Sequence, residues 1–182
     1  MALTVRVGDP LPSVGLRATD GYLLNLRSFV TKQPAVFLFF GSPTMEGAAK
    51  RRGLEAAKGL AADYDLLQEA QIATVGVSCD SEEQQREFVA RAGLPYLLFS
   101  DERRSAVELL GIPTVAKGTN VNVARPIAIA VDRDGIVRAV IDRVDPEGLV
   151  DRVIRVLAGP RRPAAAAQPS QAANAERPAA GA

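Results

Sequence analysis

The sequence predicts a three-layer α/β sandwich, with helices on both faces of a mixed central β-sheet. Three observations carry that expectation. Ala35–Phe40 is a continuous apolar run, as in a strand buried on both faces, and it leads straight into helical spacing. Two further strand–helix units follow it, which argues for a mostly parallel centre. A strong hairpin signal and an amphipathic helix come next, and the hairpin adds antiparallel strands.

The entry is Val7-Gly-Asp-Pro-Leu-Pro12, which is turn-rich and extended. Val14–Thr19 and Tyr22–Leu26 read as two short strands around the Asp20-Gly21 turn. The apolar run Ala35–Phe40 breaks at Gly41. Ser42 then offers an N-cap hydroxyl, and Pro43 suits the first helical position, where its missing N–H costs nothing. Ala49, Gly53, Ala57, Leu60 and Tyr64 recur at helical spacing beyond it, and Lys50, Arg51, Arg52, Glu55 and Lys58 fill most of the other face.

Ile72–Ser78 is rich in β-branched residues and reads as a second buried strand. Ser81 and Gln84 form a capping box, opening a helix that Gly93 stops. Leu94–Phe99 reads as a third strand. Asp101 caps the next helix, which ends at Gly111 and Pro113. Thr114–Val123 shows no clear period and reads as a loop. Pro126–Val131 and Ile136–Ile141 flank Asp132-Arg-Asp-Gly135 as a second hairpin. Asp145-Pro146 starts the last helix, with Leu149, Val150, Val153, Ile154 and Leu157 on one face and Gly159-Pro160 at its end.

Two parts are expected. Residues 1–158 form the folded domain. Residues 159–182 are rich in Ala and Pro, carry no large apolar side chain, and read as a disordered tail.

Composition narrows the function. The chain has 182 residues, is 47% hydrophobic and carries a net charge of +1. No whole-molecule field selects nucleic acid or an anionic membrane surface. No His is present, so imidazole catalysis and His-based metal sites are excluded. Met1–Arg6 holds no long apolar run, and Ala35–Phe40 is far too short to span a bilayer. The expected location is the cytoplasm.

Cys79 is the single cysteine, so no internal disulfide forms. It ends the second buried strand, just before a helix start. Three readings stand: a displaced nucleophile whose thiol is activated by helix amides, a partner in an intermolecular disulfide, or a small apolar residue that fills the strand end.

The order of elements and their local words resemble the peroxiredoxins of the alkyl hydroperoxide reductase C/thiol-specific antioxidant family, with a thioredoxin-like fold. The words are Val7–Pro12, the Phe37–Phe40 strand, Gly76-Val-Ser-Cys-Asp-Ser81, Leu94-Pro-Tyr-Leu-Leu-Phe-Ser-Asp101, and Arg125-Pro126 with the Asp-Arg-Asp-Gly hairpin. The likeness covers about Val7–Leu157.

The resemblance implies a thiol peroxidase signature, Pro-x-x-x-Thr-x-x-Cys, directly after the central strand. This chain departs from it. An ungapped count from Phe40 puts Ser42, Glu46 and Ala49 at the Pro, Thr and Cys. Anchoring on Pro43 puts Gly47 and Lys50 at the Thr and Cys. Neither count supplies a thiol. By the same resemblance Arg125 corresponds to the family's polarising Arg, and Pro126 to a cis-proline facing the Gly41–Ala49 turn. A degenerate pocket of Thr44, Glu46, Arg125 and Pro126 is the expected binding site.

Three functions follow from these residues. The first is a peroxiredoxin-like protein without peroxidase activity, serving as a binding, regulatory or structural partner. The second is an atypical one-Cys thiol peroxidase or oxidoreductase that uses Cys79, Arg125 being the other candidate catalytic residue. The third is a small-molecule binding module at Thr44, Arg125 and the helix amides. No cofactor and no metal is expected. The expected partners are a second copy of the chain, forming a homodimer, or another protein in a larger assembly, with no nucleic acid and no membrane.

Overall fold

The computed structural model describes residues 3–41, 48–117, 120–142 and 144–158. Its centre is β3 (Ala35–Phe39), whose five residues are all buried. β3 pairs in parallel with β4 (Ala73–Ser78), which pairs in parallel with β5 (Leu97–Ser100). On the other side β3 pairs antiparallel with β8 (Ile127–Val131), and β8 with β9 (Val137–Ile141). Beyond β5 lie β1 (Gly15–Ala18) and β2 (Leu23–Asn25), both antiparallel. The seven-stranded sheet thus runs β2-β1-β5-β4-β3-β8-β9, the mixed sheet that the element order predicts.

Alternation along the central strands feeds two cores. Ala35, Phe37 and Phe39 face one core with Val75, Val77, Phe99 and Ile129. It is covered by α1 (Leu26–Val30) and α5 (Ser105–Leu110). Val36, Leu38 and Phe40 face the other core, under α2 (Ala48–Ala62), α3 (Tyr64–Glu69), α4 (Glu82–Ala92) and α6 (Leu149–Leu157). On α2, Ala56, Ala57 and Leu60 are buried while Arg51, Arg52, Glu55 and Lys58 are exposed, as the spacing predicts.

The turn and cap chemistry holds in detail. Gly21 adopts a φ of +89° in the first hairpin, where the Asp20 carboxylate accepts from the Tyr22 amide. The Ser81–Gln84 capping box is formed in both directions, and Gly93 ends α4 in the left-handed region. In the second hairpin Asp132 accepts from the Asp134 and Ile136 amides and from the Arg138 guanidinium.

Several expectations are corrected. Leu26–Val30 and Tyr64–Glu69 form two short helices, so Tyr64 belongs to α3 rather than to the long helix before it. Thr114–Val123 is not a loop: β6 (Thr114–Lys117) and β7 (Asn120–Ala124) pair antiparallel as a separate small sheet. The third strand starts at Leu97, not Leu94. The last helix starts at Leu149, because Gly148 takes a φ of +86° and breaks the helical path after Asp145-Pro146. Ser42, Pro43 and the 159–182 segment lie outside the described residues. Among the described residues no helix is long and apolar enough to cross a membrane.

Gly76 shows how tightly the layers close. A Cβ there would lie 2.4 Å from Cδ2 of Leu98 and 3.0 Å from the Phe40 ring, both fully buried. Gly76→Ala is therefore expected to destabilise the fold by about 1–3 kcal/mol in urea unfolding, as overpacking does. An unchanged midpoint would show that Leu98 and Phe40 yield freely.

Candidate functional site

In open α/β folds, chemistry gathers at the carboxyl ends of the parallel strands. Here β3, β4 and β5 end at one edge of the sheet, and α4 and α5 begin there. The start of α2 is held at the same edge by a close approach. A Cβ on Gly53 would lie 3.1 Å from the Gly41 carbonyl oxygen, so a side chain there would push α2 off the chain leaving β3.

The predicted residues divide into three groups. Thr44 and Glu46 lie outside the described residues. Ala49 and Lys50 fall in the first described turn of α2. Arg125 and Pro126 come to the same edge through β8, because Ile127 stands opposite Phe39. Arg125 is exposed and its amide donates to the Pro113 carbonyl at 2.9 Å. The cis-proline expectation fails: among the described residues no peptide bond is cis, so Arg125–Pro126 is trans. The β6–β7 pair explains how this is accommodated. It delivers the chain to residue 125 already extended, and the Arg125 amide is satisfied by Pro113 without a reversal at the proline.

Cys79 follows the last residue of β4, one strand over from Gly41, and is 9% exposed. Burial pushes its thiol up to about 11. The Arg104 guanidinium pulls the other way, the Asp101 and Asp80 carboxylates add to the rise, and the Ala124 amide favours the thiolate. Burial wins, so the sulfur is a protonated thiol at neutral pH. A thiol is a far weaker nucleophile than a thiolate. Cys79 packs in the same core as Val77 and Phe99.

Around it lies a polar cluster that sequence reasoning missed. Ser78, Asp80, Gln85 and Asp101 are each 3% exposed or less. The Ser78 hydroxyl donates to the Asp80 carboxylate at 2.8 Å. Gln85 Nε2 donates to Ser78 Oγ and to the Phe99 carbonyl, each at 2.9 Å. Ser100 Oγ donates to the Asp80 carbonyl at 2.6 Å, and the Asp101 amide donates to the Ser78 carbonyl at 2.8 Å. The Asp101 carboxylate accepts from the Ala106 and Val107 amides at 3.0 and 2.8 Å. Burial raises its pKa, and those amides oppose the rise. The cluster ties β4 and β5 to the starts of α4 and α5. Its one sequence signal was the run Ser78–Ser81 joined to a Gln four positions on; its depth depends on tertiary packing.

Residues 7–140 match the AhpC/TSA family. The chain belongs to that family. Chloroplastic peroxiredoxin Q of Sedum lineare is 27% identical over 154 residues, covering 84% of this chain and 78% of the relative. Chloroplastic peroxiredoxin Q of Populus jackii is also 27% identical over 154 residues, covering 84% and 68%. Among solved structures, peroxidoxin BcpB of Mycobacterium tuberculosis superposes with a TM-score of 0.71 at 20% identity, over 86% of this chain and 98% of its own. A PrxQ mutant of Xylella fastidiosa gives a TM-score of 0.71 at 16% identity, over 85% and 96%. The AhpC/TSA family fold of this chain is thus the thioredoxin-like sandwich. Among its described residues, no group of three or more Cys, Asp or Glu side chains is placed to hold a metal ion.

The raised thiol makes stability depend on pH. A thiol whose folded pKa is raised contributes stability that is fully present below the unfolded pKa and is lost as pH rises through the folded one. Urea unfolding of the wild type is therefore expected to weaken between about pH 9 and pH 11 by on the order of 2 kcal/mol. In Cys79→Ala that decline shrinks, leaving the part due to Tyr96, whose buried hydroxyl is also raised. Parallel declines in the two proteins would refute desolvation of Cys79.

Proposed function

We propose that this member of the AhpC/TSA family does not reduce peroxides and acts instead as a binding, regulatory or structural partner. One observation carries the proposal. The chain's only thiol is Cys79, which is buried and protonated at neutral pH, while α2 begins with Ala48, Ala49 and Lys50. Attack on a peroxide oxygen needs a thiolate, and neither Ala49 nor Lys50 can supply one. In this reading the task of Thr44, Glu46, Arg125 and Pro126 is recognition rather than turnover. The protein works in the cytoplasm and forms a homodimer through a sheet edge, for which β2 and β9 are the two candidates.

A second reading has its own support. Arg104 and the Ala124 amide both favour a Cys79 thiolate. If local opening uncovers Cys79, those groups would activate it as the nucleophile of a one-Cys thiol peroxidase.

Hydrogen peroxide consumption with dithiothreitol separates the two readings. Wild type and Cys79→Ser are expected to match the protein-free background, and Ala49→Cys to gain turnover. Wild-type turnover that disappears in Cys79→Ser would overturn the first reading and establish the second. Light scattering tests the dimer: a mass of two chains is expected, and a single-chain mass would rule it out.

A further inference from the structure

The two edges of the seven-stranded sheet are finished differently. At β9 the chain covers part of its own edge. Residues 8–11 run along the outer side of the strand's start, where the Gly8 amide donates to the Val137 carbonyl at 2.8 Å and the Val137 amide to the Asp9 carbonyl at 2.9 Å. Pro10 bridges to Ile136 there. β9 also carries the exposed Arg138, and charge on an edge strand discourages pairing. β2 has neither protection. It reads Leu23-Leu-Asn25, with no charge and no proline, and among the described residues no strand lies beyond it.

Three features suit β2 to a copy of itself. The first is its backbone. The Ala18 amide donates to the Tyr22 carbonyl at 2.8 Å, and the Leu26 amide to the Val14 carbonyl at 2.9 Å. Such bonds alternate along an antiparallel pair, so Leu23 turns its amide and carbonyl away from β1. The second is apolar surface. Tyr22 and Leu23 are 69% and 68% exposed, the highest values for large hydrophobic side chains among the described residues. As neighbours along a strand they point to opposite faces, so the edge is flanked by apolar groups on both sides. The third is charge. A crevice beside Leu23 is lined by Arg17, Arg103, Glu82 and Glu102. Asp101 lines it too, but its carboxylate is buried and held by helix amides. Two cations and two anions match a rotated copy of themselves, whereas a surface of one sign repels its copy.

We infer that the homodimer proposed above, on which this rests, forms through β2 and not β9, by antiparallel pairing of β2 with β2 of a second copy about a two-fold axis at Leu23. Each Leu23 amide donates to the Leu23 carbonyl of the other copy, and the two sheets become continuous. On one face Tyr22 of each copy stands opposite Leu24 of the other. On the opposite face the two Leu23 side chains meet, between the two charged crevices. So short a strand makes few backbone bonds, and the apolar side chains carry most of the affinity.

Sedimentation velocity of the full chain over a concentration series is the measurement. The wild type is expected to reach the mass of two chains. Leu23→Lys, which sets two like charges on the axis, should stay at the mass of one. Tyr22→Ser should weaken the dimer about tenfold, the effect of withdrawing one large apolar contact. Both positions are exposed, so the far-ultraviolet circular dichroism of each variant should match the wild type and show the fold intact. In the wild type, hydrogen exchange at the Leu23 amide should slow as concentration rises. A dimer that persists in Leu23→Lys leaves the homodimer standing and overturns its placement at β2. A wild type that stays a single chain overturns both, and leaves the β2 edge to a strand of another protein.

Discussion

Withdrawal of β3 from water on both faces is the constraint from which the rest of the structure follows. Its residues 35–39 are each 1% exposed or less. Such a strand cannot have an open edge, because its amides and carbonyls would be buried without partners. β4 and β8 supply those partners, and both are themselves buried along their whole length. Helices must then cover both faces, and the strand-to-helix connections bring helix starts to one edge. The site is a product of that geometry before any of its side chains is considered.

At that edge the chain treats its strands differently. Between β3 and α2 the fit depends on small residues, with Gly53 against Gly41. Between β4, β5 and their helices it depends on buried polar groups that satisfy one another. Networks of this kind are stable only when nearly complete, because each unpaired member carries its full desolvation cost. Ser78, Asp80, Ser100 and Asp101 all have partners, and among the described residues Gln85 Oε1 has none. Cys79 sits beside this network and packs in the apolar core with Val77 and Phe99.

Long or strongly patterned elements were legible in the sequence. The Ala35–Phe40 run, the Ser81–Gln84 box and the Asp132–Gly135 turn each held, because their physics is local. Short elements were not. The helix at Leu26–Val30 has five residues and depends on Asn25, whose side chain caps the Arg27 and Ser28 amides. The β6–β7 pair was not legible either, because Thr114–Val123 has no sustained period and the pair stands outside the main sheet, without a core to pattern it. That Gly41–Lys50 holds no cysteine could be read directly from the sequence. The surroundings of Cys79 could not, since Arg104 and Ala124 reach it only through the folded chain.

The placement of β8 has a consequence for how the protein is made. Ala35 stands opposite Val131, and Phe39 opposite Ile127. Closure of so distant a pair carries a large loop entropy, and contacts of this separation slow folding. On the ribosome, β3 and β4 emerge early and can pair, yet the far flank of β3 waits for the C-terminal hairpin. During that interval the nascent chain presents a long apolar strand with one bare edge. Such an edge is prone to pair with other chains, so protection by a chaperone matters most after β4 is complete and before β8 is, while residues 79–131 are being synthesised.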